Sequence, residues 1–223
     1  MVATGHTSFF GGLEPDAADA LRSLGIVRGY PRGSALFHER QAPDRVVVLM
    51  TGIVKLSSIS EDGKEVVLAL RGSGDLLGEL GALDGNPRSA TAVALSDVEA
   101  LVVPASDFTG FLERHPRAAL LILQMLSRRL RDADRKRIEF TAQDSMSRVA
   151  SRIVELAERF GEEDDGVVRI DLPISQEELA GWTGCSRDSV VKALQSMRGL
   201  GWIETDRRRI VVRDLDSVRR RSE

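Results

Sequence analysis

The chain has 223 residues, 42% of them hydrophobic but only 4% aromatic, with a formal net charge of -3. That length suits one large domain or two small ones around an aliphatic core, and the charge excludes a uniformly basic nucleic-acid binder while leaving room for a local basic surface. The single cysteine, Cys185, excludes an internal disulfide, a four-cysteine iron–sulfur site and a cysteine-rich zinc site.

The opening MVATGHTSFFGG has no basic stretch followed by a long apolar run, so no signal peptide is expected. No run approaches the roughly 20 apolar residues of a membrane helix, and the expected location is the cytoplasm. Residues 14–24 read as a short helix, with Ala17, Ala20, Leu21 and Leu24 at helical spacing. From Ile26 to Pro104 the chain breaks into short apolar runs: VVVLM, GIVKLSSIS, EVVLALR, ATAVAL and VEALVV. Thr51-Gly52 and Glu61-Asp62-Gly63-Lys64 separate some of them as turns. Many short strands near ten-residue spacing predict an antiparallel sandwich or barrel.

Beyond Pro104 the pattern turns helical. Ser106 is expected to cap a helix over 107–114, and Pro116 to open a longer one over 116–140. In the longer one Ala119, Leu123, Leu126, Leu130, Ala133, Arg137 and Phe140 trace a heptad seam, and Leu120, Leu121, Ile122 and Met125 cover neighbouring faces. One apolar face against the β-domain would be the plain explanation. Two faces on a helix this long favour self-dimerisation along the seam. Residues 144–160 form another amphipathic helix, GEEDDG (161–166) reads as a solvated loop, and VVRIDL (167–172) as a strand.

Ser175 and Glu178 make a capping box that opens a helix over 176–182. Thr183-Gly184-Cys185-Ser186 then supplies a tight turn and a cap for a second helix over 187–198. Two short helices around a glycine-containing turn are the helix-turn-helix pattern, in which the start of the second helix meets base edges. Those positions are Ser186, Arg187, Asp188, Ser189 and Lys192. Arg187 suits guanine O6 and N7, and Asp188 suits cytosine N4. WIET, DRRR and IVVR then read as a hairpin wing whose tip, Arg207, Arg208 and Arg209, suits phosphate. From Ser186 onward there are 10 Lys/Arg against 6 Asp/Glu, which places any nucleic-acid surface here. Taken alone, each feature is an ordinary charged surface; together they favour DNA. Cys185 reads as a packing residue in the turn.

The segment GDLLGELGALDGNPRSAT (74–91) can make an anion cradle: glycine-rich backbone at Gly78, Arg88 as a bidentate cation with Ser89 beside it, and Glu79, flanked by Leu80, as acceptor for a ribose hydroxyl. A surface Glu–Arg pair is the plain alternative. With these residues in place, the chain resembles the catabolite activator (cyclic-AMP receptor, CRP-FNR) family of bacterial transcription regulators. The likeness runs from FFGGLEPDAADAL through LLGELGALDGNPRSA and the RRL of residues 128–130 to LAGWTGCSRDSVVKAL.

The resemblance implies an α+β chain with an N-terminal β jelly-roll sensory domain of cyclic-nucleotide-binding type (1–115), a long dimerisation helix (116–141) and a C-terminal winged helix-turn-helix (142–223). It puts Gly78, Glu79, Arg88 and Ser89 at the cyclic phosphate and ribose, and Arg187, Asp188 and Lys192 at DNA. Two departures stand out. Where relatives that bind cyclic AMP carry Thr and a small polar residue against adenine, this chain has Ala133 and Asp134. Where they carry Glu in the recognition helix, it has Asp188.

The expected effector is cyclic AMP, then cyclic GMP or another ligand, then none. Asp134 accepts equally well from an adenine amino group and from guanine N1–H and N2–H. The expected partners are a two-fold symmetric DNA site, a second copy of the chain and RNA polymerase. A scaffold that meets protein and not DNA is the competing binding function, separable by salt dependence. No Ser/His/Asp set, metal-spaced cluster or phosphate-transfer motif is present, so neither an enzyme nor a metal site is expected.

Overall fold

The computed structural model describes residues 8–172, 174–206 and 209–223. After α1 (Pro15–Ser23) come β1 (Ile26–Tyr30), β2 (Ala35–Phe37), β3 (Arg45–Thr51), β4 (Val54–Ile59), β5 (Glu65–Arg71) and β6 (Leu76–Leu77). A short helix, α2 (Glu79–Asp84), precedes β7 (Thr91–Ala94), β8 (Val98–Pro104) and α3 (Ala105–Arg114). The strands form two four-stranded sheets, in the orders β1-β8-β3-β6 and β2-β7-β4-β5.

Strand β3 shows how the layers are built. Its residues Val46 to Leu49 are all buried, an unbroken apolar run with no polar alternation. Successive side chains of a strand point to opposite faces. Val46 and Val48 enter one core with Leu21, Phe108, Phe111 and Ile122, while Val47 and Leu49 enter a second with Leu36, Phe37, Val54 and Ala92. The first sheet is therefore a middle layer, helices on one face and the second sheet on the other.

Helix α3 starts earlier than the sequence suggests. It begins at Ala105, so Ser106 lies inside it and caps nothing. Pro104 takes the capping position instead and offers no side-chain acceptor, while the Ala105 amide donates to the Asp44 carbonyl at 2.9 Å.

Helix α4 (Pro116–Ala142) is continuous, and the chain's division into two compact units falls inside it, between Asp132 and Ala133. The second unit, which also takes in Ile59–Val67, contains α5 (Ser145–Phe160), β9 (Glu162–Asp164), β10 (Val167–Ile170), α6 (Gln176–Thr183), α7 (Arg187–Gly199), β11 (Ile203–Asp206), β12 (Arg209–Val212) and α8 (Leu215–Ser222). Its sheet runs β11-β12-β10-β9. Residues 161–166 are not a simple loop: Glu162–Asp164 pair antiparallel with β10 across Asp165-Gly166, a dipeptide suited to a two-residue hairpin.

Helix α8 is absent from the sequence reading, because its eight residues bury only Ser217 and Val218. Asp214 caps it by accepting from the Ser217 amide at 2.9 Å. Arg219 pairs with Glu158 at 3.1 Å and Arg221 with Asp144 at 2.5 Å, tying the helix to both ends of α5. Among the described residues no helix is long and apolar enough to cross a membrane.

Candidate ligand cradle and nucleic-acid interface

The cradle forms where β6 ends and α2 begins. Gly78, the residue before α2, has φ +77, a left-handed conformation that side chains rarely adopt, and a Cβ there would lie 2.2 Å from Arg88 Nη1. Glycine is thus required both by the turn and by the approach of the guanidinium. Arg88 is 4% exposed and lies over the Phe37 ring, 4.6 Å from its centroid. Its Nη1 donates to the Gly78 carbonyl at 2.9 Å, and its Nη2 to the Arg45 carbonyl at 2.5 Å and to Asp44 at 3.4 Å. Burial pulls its pKa down, against the attraction of Asp44. The backbone around it is pinned: the Arg88 amide donates to the Gln41 carbonyl at 2.9 Å, and the Arg40 amide to the Arg88 carbonyl at 2.8 Å.

One donor is left over. Arg88 Nε is buried with no hydrogen-bond partner, which is costly unless a ligand or solvent supplies an acceptor.

Glu79 is also buried, at 3% exposure, and its carboxylate accepts from Arg129 on α4. A carboxylate has several lone-pair sites, so this pair leaves capacity for a ribose hydroxyl. Leu80 and Ser89 are exposed at the rim. The structure therefore brings Gly78, Glu79 and Arg88 together, with Ser89 adjacent in the chain to Arg88. It adds Asp44 and Arg129, which the sequence reading did not single out. Arg129 sits one helical turn before Ala133, and that spacing was the signal available for it. Ala133 and Asp134 are exposed on α4, just past the division between the two units.

In the second unit the capping box is complete: the Ser175 amide donates to Glu178 at 2.8 Å and the Glu178 amide to Ser175 Oγ at 3.1 Å. Gly184 ends α6 at φ +62. Ser186 then caps α7, accepting from the Ser189 amide at 3.1 Å. Helix α7 buries Val190, Ala193, Leu194 and Met197, which turns Arg187, Asp188 and Lys192 outward beside the exposed Ser186 and half-buried Ser189. Cys185 is half-buried in the turn.

Strands β11 and β12 form the wing, with Asp206 opposite Arg209. Arg207 and Arg208 lie outside the described residues. Arg209 donates through Nε to Asp171 at 2.5 Å, a bond that raises its pKa and balances part of the charge it would otherwise offer to phosphate. No group of three His, Cys, Asp or Glu side chains able to hold a metal occurs among the described residues.

Comparison with known proteins gives a family match at both ends of the chain. The cyclic nucleotide-binding domain family matches residues 27–115 and the Crp-like helix-turn-helix domain family residues 147–221. Over 217 residues, 97% of each chain, the sequence is 32% identical to a CRP-like cAMP-activated global transcriptional regulator of Mycobacterium tuberculosis. Over 205 residues, 92% of each chain, it is 31% identical to the cyclic AMP receptor protein of Thermus thermophilus. Among solved structures, the c-di-GMP-responsive global regulator CLP of Xanthomonas campestris shares the fold, with a TM-score of 0.78 over 89% of this chain and 99% of that one, at 21% identity.

Proposed function

The chain belongs to the catabolite activator (CRP-FNR) family of ligand-responsive, DNA-binding bacterial transcription regulators, and we propose that its effector is a cyclic nucleotide, cyclic AMP before cyclic GMP. The observation that carries this reading is the buried Arg88 guanidinium, whose Nε has no partner, set against a glycine that no side chain can replace. In this reading Arg88 and Ser89 hold the cyclic phosphate, the backbone at Gly78 closes on it, Glu79 takes the ribose, Leu80 walls the rim, and Ala133 and Asp134 meet the base. Asp134 is the feature that favours the second reading, since a carboxylate accepts two guanine N–H groups together.

The output is DNA binding by a homodimer. Leu120, Leu123 and Leu130 are exposed on α4, with Leu123 and Leu130 at 60% and 63%, and a partner copy of the same helix would bury them. Two α7 helices then meet a two-fold symmetric duplex through Ser186, Arg187, Asp188, Ser189 and Lys192, with the wing on phosphate. A ligand changes that binding only through different affinity for two arrangements of the dimer. A cytoplasmic regulator of this kind would work with RNA polymerase as a further partner.

Calorimetric titration with cyclic AMP and with cyclic GMP, beside Arg88→Ala, tests the effector. Binding by the wild type that drops at least about 100-fold in the variant, as loss of a charge-assisted bidentate contact implies, is the expected result. No heat from either nucleotide would remove the sensor and leave the DNA-binding regulator.

A further inference from the structure

The final turns of α4 carry a structure of their own. Phe140 stands in the last full turn of the helix, and a Cβ on Gly184 would lie 2.3 Å from its Cε1. The ring is therefore packed directly on the backbone of the helix-turn-helix turn, and only glycine allows that approach. Arg148 of α5 lies over the same ring, 5.6 Å from its centroid.

Beside Phe140 and one turn earlier, charged groups fix the helix in place. Arg152 of α5 is 3% exposed; it pairs with Glu139 of α4, and with Glu155 at 2.8 Å. Lys136 of α4 pairs with Glu155 at 3.5 Å. The Trp182 ring of α6 carries Lys136 at 5.5 Å and Arg152 at 5.7 Å from its centroid. Charges this buried are tolerated only when paired, and their pairing demands one geometry. Helix α4 thus cannot slide along α5 without breaking the set.

Two residues after Gly184, Ser186 caps α7. We propose that Phe140 is a positioning residue for DNA recognition: it braces Gly184 and so sets where the N-terminal turn of α7, with Arg187 and Asp188, is held. The ion set of Lys136, Glu139, Arg152 and Glu155 keeps the brace seated. A displacement of α4 in this region then reaches the reading end of α7 through this ring-to-backbone contact. The proposal rests on α7 being the DNA-reading helix.

The test uses the full chain as wild type, Phe140→Ala and Phe140→Leu, with two readouts. Amide hydrogen exchange over residues 184–190 needs no ligand or DNA. Duplex binding is measured, with cyclic AMP present, on a site selected from random duplexes by the wild type and on an unrelated duplex. In Phe140→Ala we expect exchange over 184–190 to quicken at least tenfold while α5 is unchanged. Affinity for the selected site falls at least tenfold, and affinity for the unrelated duplex stays within twofold. Phe140→Leu recovers most of both. Unchanged exchange over 184–190 overturns the brace. So does an equal loss on both duplexes with α5 exchange also quickened, which marks general unfolding. If the wild type selects no site, the DNA reading of α7 fails, and exchange alone decides whether Phe140 braces the turn.

Discussion

Arg129 reaches from α4 to the carboxylate of Glu79, Nη1 to Oε1 at 2.6 Å, while its Nη2 donates to the Leu76 carbonyl at 2.8 Å. One arginine therefore joins the dimer-helix candidate both to the last strand before the cradle and to the first residue of α2. The Glu79 side chain is 4% exposed and that of Arg129 is 21%. Removing one partner of such a pair leaves the other charge buried, at a cost of about 3 kcal/mol or more.

Glu79→Ala is accordingly expected to destabilise the β-rich unit by about 3 kcal/mol, with Arg129→Ala costing less because Arg129 is the more exposed partner. Both tryptophans, Trp182 and Trp202, lie in the other unit. Urea unfolding followed by circular dichroism should show the loss, while tryptophan fluorescence should keep its wild-type midpoint. A shift of the fluorescence midpoint by the same amount would show that the two units unfold together, and no shift in either signal would show that the pair adds nothing.

The pair also shows how far the sequence could be read. Alternation, turns and the capping box announced the strands and the helix-turn-helix, because each rests on residues close together in the chain. Gly78, Glu79 and Arg88 could be grouped for the same reason: they fall within eleven residues. Asp44 and Arg129 were not, since they reach the cradle from 44 and 50 residues away, and only the folded chain reveals such a meeting. Ser106 has the chemistry of a cap, yet the helix starts one residue before it, at Ala105, with Pro104 in the capping position. Helix α8 escaped notice because so little of it is apolar; its charges hold it to α5.

Acid should weaken the second unit through Glu155. Burial alone would raise its pKa, but Lys136, Arg152 and Arg159 outweigh burial and hold it below the ordinary glutamate value. A carboxyl whose pKa is lower folded than unfolded stabilises the fold above the ordinary value, and that contribution disappears as pH falls through the folded value. Near neutral pH, Glu155→Gln should therefore be less stable than wild type, by up to about 3 kcal/mol. The difference should shrink as pH falls below the ordinary glutamate range. Tryptophan-monitored urea titrations from pH 7 downward check the slope, and a difference that does not change with pH would remove Glu155 from the acid response.

Arg187 and Arg209 should fail in different ways on DNA. Arg187 is exposed at the start of α7, where a guanidinium can bond guanine O6 and N7. Arg187→Ala should cost about 1–3 kcal/mol on the selected site and relax the choice of base at one position, with little change on unrelated duplex. Arg209 already spends its Nε on Asp171 at 2.5 Å, so Arg209→Ala should barely alter affinity or its salt dependence. Asp171→Ala releases that cation toward the wing and should steepen the dependence of log K on log salt by up to about one. Binding isotherms across a salt series for the three variants separate these outcomes. Equal losses on both duplexes for Arg187→Ala would reassign it to phosphate. A flat response for Asp171→Ala would mean that the wing does not approach the backbone at Arg209.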